Sequence, residues 1–201
     1  MSKGQKRAAD SLSVVLASDG ATSAVLGKVG IDQTTPGSTN LVQLPPGKGS
    51  VATLTSTDTG ALTANDVIGP TNASNSALTF ANVCAIAGDH IITSVALEID
   101  VTAVVSGMTS YRLYLYNVTP PSALNGNAAW DLPSGDRASF LGYVDLGAPV
   151  DLGSTLYVET SNVNKQITTA STSVFGYLVT NGGYTGANPT AYVITLHTVP
   201  A

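Results

Sequence analysis

Polar and apolar residues alternate one by one along much of the chain after residue 50. The clearest example is the segment 91–104, where apolar residues occupy most odd positions and Glu98 and Asp100 occupy even ones. A period of two predicts a β-strand with one face in a core and the other in water. Residues 110–117 show the same pattern, and the short linker 106–109 between the two segments predicts a hairpin.

Shorter apolar or β-branched runs, separated by turn residues, predict the other strands. They cover residues 51–55, 78–86, 139–146, 155–159, 174–179 and 191–198. The total of about seven or eight strands is enough for two packed sheets, and no segment shows the 3.6-residue period of a helix. We therefore predict an all-β protein, a β-sandwich with a jelly roll as its expected form.

Residues 1–50 differ from this body because short apolar clusters alternate there with seven glycines and three prolines. Each cluster is too short to form a core, yet the segment is too apolar for a disordered tail. We predict an extended arm over residues 1–50, which lies on its own body, a sister subunit or a larger partner, and a β-sandwich body over residues 51–201. The apolar residues expected to attach the arm are Leu12, Val14, Val15, Leu16, Val25, Leu26, Leu41, Val42 and Leu44.

The longest stretch without a strand pattern covers residues 118–137 and contains the single tryptophan, Trp130. Loops of this length inside a compact body are often functional or contact a partner. Trp130 and Asp131 are therefore candidate surface-contact residues. The alternative is a loop that packs on itself, with Trp130 as its plug.

The net charge of −5 and the pI near 4.6 argue against a nucleic-acid partner, which requires a basic surface. The chain has no apolar run of the ~18 residues that a membrane span needs, and no secretion signal. The single cysteine, Cys84, lies in an apolar run and is predicted to be buried rather than reactive.

Candidate catalytic chemistry is sparse. Asp58 lies in an Asp-Thr-Gly triplet that resembles the active-site triplet of aspartic proteases, but the hydrophobic strand that precedes it in that family is missing, so we predict a plain turn. His90 and His197 are the only histidines, and the chain has no nucleophile elbow. Glu98 and Asp100 are predicted to form a solvated strand face with Arg112 as their partner. We therefore predict no enzyme, no metal site and no cofactor.

Two groups of short motifs resemble virion proteins of tailed bacteriophages. Residues 8–19 (AADSLSVVLASD) resemble the A-A-x-S-L-P-V-V-L-A-S-D segment of many phage structural proteins, with Ser13 in place of the usual proline. Residues 66–69 (DVIG), 78–83 (LTFANV) and 111–117 (YRLYLYN) are similar, in this order, to motifs of a class of small phage virion proteins.

The resemblance implies a capsid decoration (cement) protein that binds the major capsid protein on the exterior of the head and stabilises the shell. It also implies a homotrimer on the capsid surface of the virion, assembled in the cytoplasm of the bacterial host. The alternative is a head-fibre or tail-associated accessory protein. Such a protein could be a glycan-binding module, in which tyrosines and Trp130 stack on sugars.

Overall fold

The computed structural model describes residues 47–58 and 60–201, and within them the chain is all-β, as predicted. The described strands are β1 (Lys48–Ser56), β2 (Leu78–Phe80), β3 (Gly88–Ile99), β4 (Tyr111–Tyr116), β5 (Phe140–Gly147), β6 (Val150–Asp151), β7 (Leu156–Thr169), β8 (Val174–Thr180) and β9 (Thr190–Pro200). A single 3-10 turn, Ser134–Asp136, accompanies them among the described residues.

The strands form two antiparallel sheets that pack as a β-sandwich. One sheet has the order β1-β9-β3-β7-β6 and the other has the order β2-β8-β4-β5. The pairing runs inward from both ends, because β1 pairs with β9, β2 with β8, β3 with β7 and β4 with β5. A long antiparallel hairpin that has been rolled up gives this pairing, so the predicted jelly-roll form is confirmed.

The core lies between the two sheets and is formed by alternate residues of their strands. Burial of each large aliphatic side chain contributes about 1.5–3 kcal/mol, so these residues dominate the stability of the fold. The fully buried side chains of this core include Ile92, Val95, Leu97, Ile99, Leu113, Leu115, Leu178, Ile194 and Leu196.

The predicted alternation along β3 holds only for part of the strand. Val95, Leu97 and Ile99 face the core, but Ile91 is half-buried and Ile92 is buried instead. The pairing of β3 with β7 and with β9 shifts between Ile92 and Ser94. An extra residue in a strand moves the following side chains to the opposite face, which explains the change.

The predicted hairpin between residues 91–104 and 110–117 is wrong. β3 belongs to the five-stranded sheet and pairs with β7 and β9, whereas β4 belongs to the four-stranded sheet and pairs with β5 and β8. The linker between β3 and β4 therefore connects the two sheets. In a jelly roll, consecutive strands often belong to different sheets. Two strands also differ in length from the prediction. The strand predicted over residues 78–86 is the 3-residue β2, and the one predicted over residues 155–159 is the 14-residue β7.

Candidate functional site

The outer face of the four-stranded sheet carries a second apolar cluster, separate from the sandwich core. It contains Tyr114 and Tyr116 of β4 and Tyr177 and Val179 of β8, all buried, together with Val67. Because side chains alternate along β4, Tyr111 and the two leucines of that strand face the core while Tyr114 and Tyr116 face outward, as the sequence pattern predicted. Both faces of β4 and β8 therefore carry buried side chains.

The long segment 118–137 covers the outer cluster, and Trp130 is its central contact. The indole ring stacks on the ring of Tyr114 with 3.7 Å between centroids and 16° between planes. The backbone N–H of Trp130 donates to the carbonyl oxygen of Asn65 at 2.8 Å, and the side-chain amide of Asn65 donates to the carbonyl oxygen of Trp130 at 3.2 Å. Trp130 therefore packs its own loop against the outer face of β4, as in the second of the two predicted alternatives.

Buried polar groups hold the two ends of the same segment together. Asp136 is 1% exposed and its carboxylate accepts hydrogen bonds from the N–H of Ser122 at 3.1 Å and from its hydroxyl at 2.9 Å. The Tyr177 hydroxyl accepts from the N–H of Leu124 and donates to the carbonyl oxygen of Ser122. Sequence reasoning missed Asp136, for which the only local signal is the turn sequence Pro-Ser-Gly-Asp that ends with it.

We expect Trp130→Ala to lower the free energy of unfolding by about 2 kcal/mol, because it removes a stacked aromatic contact and opens a cavity over Tyr114. Urea unfolding followed by circular dichroism measures the change. The exposed neighbour provides a matched control, since Asp131→Ala is expected to change stability by less than about 0.5 kcal/mol. Equal stability of Trp130→Ala and the unsubstituted chain would contradict a stabilising contact between Trp130 and Tyr114.

Beside the outer apolar cluster, three exposed residues of β4 and β5 contact one another: Arg112, Asp145 and Tyr143. The guanidinium of Arg112 pairs with the carboxylate of Asp145 at 2.6 Å and lies over the ring of Tyr143, 5.0 Å from its centroid. The hydrogen bond to Asp145 raises the pKa of Arg112 further above its usual range. The predicted partnership of Arg112 with Glu98 and Asp100 is wrong, because β4 lies beside β5 and not beside β3.

The turn predicted at Asp58 is confirmed. Its carboxylate accepts a hydrogen bond from the N–H of Gly60 at 2.8 Å, which is the local bonding of an Asx turn. His90 is buried and its Nε2 lies 2.9 Å from the carbonyl oxygen of Ile86, whereas His197 is exposed on β9. Cys84 is buried, as predicted, with its sulfur 3.5 Å from the Thr169 hydroxyl.

Within residues 47–58 and 60–201, no three His, Cys, Asp or Glu residues come together in a way that could hold a metal ion. No helix in this part of the chain has the length and apolar character needed to cross a membrane.

The predicted arm contacts lie outside the described residues, so their role stays a prediction. They are Leu12, Val14, Val15, Leu16, Val25, Leu26, Leu41, Val42 and Leu44. Of the two loop candidates, Trp130 is half-buried against Tyr114 and Asp131 is exposed beside it. Contact of this loop with a partner also stays a prediction.

No protein-family model and no curated protein sequence matches this chain. Among solved structures, the chain is similar to one from the capsid of Ralstonia phage GP4, with 14% identity, a TM-score of 0.37, and 77% of this chain and 85% of that chain covered. It is similar to a chain of the cyanophage Pam1 capsid asymmetric unit, with 18% identity, a TM-score of 0.30, and 83% and 98% covered. A third similar chain comes from Triatoma virus, with 10% identity, a TM-score of 0.29, and 85% and 70% covered. The first two neighbours come from phage capsids and the third from a virus, and the likeness does not enter the description of the fold, which follows from the strand order and pairing of this chain.

Proposed function

We propose that this protein is a phage capsid decoration protein, which binds the exterior of the head through its N-terminal arm and stabilises the shell. The observation that carries the proposal is a contrast within the chain. The body from Lys48 onward buries most of its large apolar side chains in two clusters of its own. Residues 1–46 add apolar clusters between glycines and prolines, and the first of them lies in the segment that resembles phage structural proteins. Such clusters gain stability by lying on another surface.

The buried aromatic residues and the acidic charge of the body suit a domain that faces water on the outside of a shell. Six of the eight tyrosines are buried, and the hydroxyl of a seventh, Tyr157, donates a hydrogen bond to the exposed carboxylate of Glu159. The body carries most of the acidic residues of the chain, which favours solubility. We propose the major capsid protein as the partner, a homotrimer as the bound form, and a structural rather than enzymatic role. Several arms on one assembly would raise the avidity for the capsid.

Deletion of residues 1–44 tests this proposal. Residues 45–201 form a compact unit with both apolar clusters, so we expect the truncated protein to fold. It should no longer sediment with purified undecorated capsids, whereas the full chain should. Removal of residues 1–7 alone is the matched control, because it takes away Lys3, Lys6 and Arg7 but leaves every apolar cluster, and binding should persist. Capsid occupancy of the 1–44 deletion equal to that of the full chain would overturn the proposal.

A second candidate function is a glycan-binding accessory protein of a head fibre or the tail. The exposed group on β4 and β5 favours it, because Tyr143 is 46% exposed and carries Arg112 and Asp145 beside its ring. Aromatic rings with adjacent hydrogen-bonding groups suit a sugar ring. Immunogold labelling of virions tests the tail location: label confined to tails supports a tail-associated protein, whereas label on heads supports decoration or a head fibre.

A further inference from the structure

The two sheets of the sandwich differ in what lies on their outer faces. Segment 118–137 packs on the outer face of the four-stranded sheet, where Trp130 stacks on Tyr114. The outer face of the five-stranded sheet consists of the residues of β1, β9, β3 and β7 that alternate with the core residues of these strands, together with Val150 of β6. None of these outward residues is buried. We call this surface the open face, since no described segment buries it.

One half of the open face is uncharged and partly apolar. Strand register places Val51 beside Thr195 and Thr195 beside Ala96, and in the next row it places Thr53 beside Val193. Val51 is 57% exposed, although it is a large apolar residue. Opposed residues on neighbouring strands have Cβ atoms about 4.5–5.5 Å apart, so these side chains form a continuous surface.

The other half of the open face carries acidic side chains. Glu98 of β3 and Glu159 of β7 are both exposed there, and Asp89 lies at the far end of β3. None of the outward positions of the four long strands holds a lysine or an arginine. Lys165 of β7 points the other way, with its ammonium group next to Gly142 of β5. The open face therefore has a negative charge that no lysine or arginine on it offsets.

The open face is large enough to contribute to a stable interface. Its four long strands lie about 4.8 Å apart and the shortest, β1, has 9 residues, so the face measures about 19 Å by 30 Å, or ~600 Å². Stable protein interfaces bury roughly 600–1,000 Å² per partner. Contact through this face alone lies at the lower end of that range, so it suits a contact that adds to another attachment.

A second copy of the same face is a poor occupant. A twofold contact places the same surface of both copies against each other. No outward position of either copy then supplies a lysine or an arginine for Glu98 or Glu159. These carboxylates would lose water without gaining an ion pair, which is costly. The open face instead favours a partner that is uncharged on one side and basic on the other, since complementary charges fix the orientation of a complex.

We propose that the open face is the surface by which the body rests on the capsid shell, and that it binds a shell surface with lysine or arginine side chains opposite Glu98 and Glu159. The inference rests on the proposed function, which supplies the shell as the partner and the N-terminal arm as the other attachment. It adds an orientation, in which the five-stranded sheet faces the shell. The four-stranded sheet, with Tyr143 and the segment 118–137, then faces water.

Sedimentation of the full chain with purified undecorated capsids tests the acidic half. We expect Glu98→Lys to weaken binding by about tenfold or more, because a lysine then faces the basic side chains of the shell. Asp131→Lys is the matched control, since it makes the same change of charge at an exposed position beside Trp130, on the opposite side of the sandwich. Binding of this control should stay within about twofold of the unsubstituted chain.

Two exposed valines test the uncharged half in the same way. Val51 lies on the open face and is 57% exposed, whereas Val118 begins the segment over the four-stranded sheet and is 40% exposed. We expect Val51→Lys to weaken capsid binding by about tenfold, because it places a charge within the uncharged half of the contact. Val118→Lys should bind as the unsubstituted chain does.

Cysteine labelling reports the orientation without a change of charge. The background carries Cys84→Ala, which removes the only native thiol. Thr53→Cys should react with a maleimide in the free protein and lose this reactivity on capsids, while Tyr143→Cys should react in both states. Protection of Thr53→Cys in the free full chain, whether by residues 1–44 or by a second copy, would overturn the proposal.

The remaining outcomes separate this proposal from the proposed function. Equal capsid binding of all four lysine variants, or equal labelling of the two cysteine variants on capsids, would overturn the contact through the open face and leave decoration intact. A full chain that does not sediment with capsids at all would overturn the proposed function, and the contact through the open face with it.

Discussion

Replacing Tyr184 with phenylalanine is expected to lower the free energy of unfolding by about 3 kcal/mol, although only one oxygen atom is removed. The Tyr111 hydroxyl donates to the Tyr184 hydroxyl at 2.9 Å, and the Tyr184 and Tyr192 hydroxyls lie 3.1 Å apart. All three residues are buried, and burial raises the pKa of each above its usual range. The substitution leaves the two outer hydroxyls without a partner, and a buried unsatisfied polar group costs about 1–3 kcal/mol.

The chain of hydroxyls provides its own controls. Tyr192→Phe removes the end of the chain and leaves Tyr184 bonded to Tyr111, so a smaller loss of about 1 kcal/mol is expected. The variant with phenylalanine at all three positions strands no hydroxyl and should be more stable than Tyr184→Phe alone. Urea unfolding followed by Trp130 fluorescence compares them. Equal losses for Tyr184→Phe and Tyr192→Phe would contradict the coupled chain.

Gly107→Ala is expected to destabilise the protein by about 3 kcal/mol or more, because two costs add. Gly107 has a φ of 89°, which strains any residue with a Cβ, and an ideal Cβ there would lie 2.0 Å from the carbonyl oxygen of Gly183. That atom is backbone, so relief requires movement of the loop between β8 and β9. The substitution therefore acts on two loops at one end of the sandwich.

A second glycine separates the two costs. Gly153 has a φ of 105°, but no atom would lie within 4 Å of a Cβ at that position. Gly153→Ala should therefore cost only the backbone strain, about 1–2 kcal/mol. Thermal unfolding by calorimetry measures both variants at one protein concentration. If Gly107→Ala were no more destabilised than Gly153→Ala, the close approach of Gly107 to Gly183 would not matter for stability.

Local alternation predicted the existence and faces of several strands, but it could not predict their partners. The pattern of β4 placed Tyr111 on one face and Tyr114 on the other, which the structure confirms, but both residues are buried although the pattern predicted that one face lies in water. The partner of β1 is β9, whose residues lie more than 130 positions away. Nothing in a short window of sequence encodes such a pairing, and for the same reason the hairpin after β3 was a wrong prediction.

The candidate site was predictable in part for similar physical reasons. Trp130 was identified because a single large aromatic residue in a long polar segment must either pack or bind something. Asp136 was missed because its role depends on Ser122 across the loop. The bulge in β3 was missed as well, since Thr93 is as suitable for a regular strand as for a bulge. Arg112 was given the wrong acidic partner because strand neighbours follow from topology rather than from charge pattern.

The position of β9 in its sheet has a consequence for the order in which the protein folds. β9 lies between β1 and β3, yet it is the last strand of the described chain. During synthesis, β1 and β3 are both made long before β9, the strand that pairs with each of them. Until β9 is made, the backbone groups on that side of β1 and of β3 have no strand partner. Contacts this distant in sequence give a high contact order and slow folding. A nascent chain that stalls before Thr190 therefore exposes two strand sides at once, and it is at this stage that the protein is most prone to aggregate.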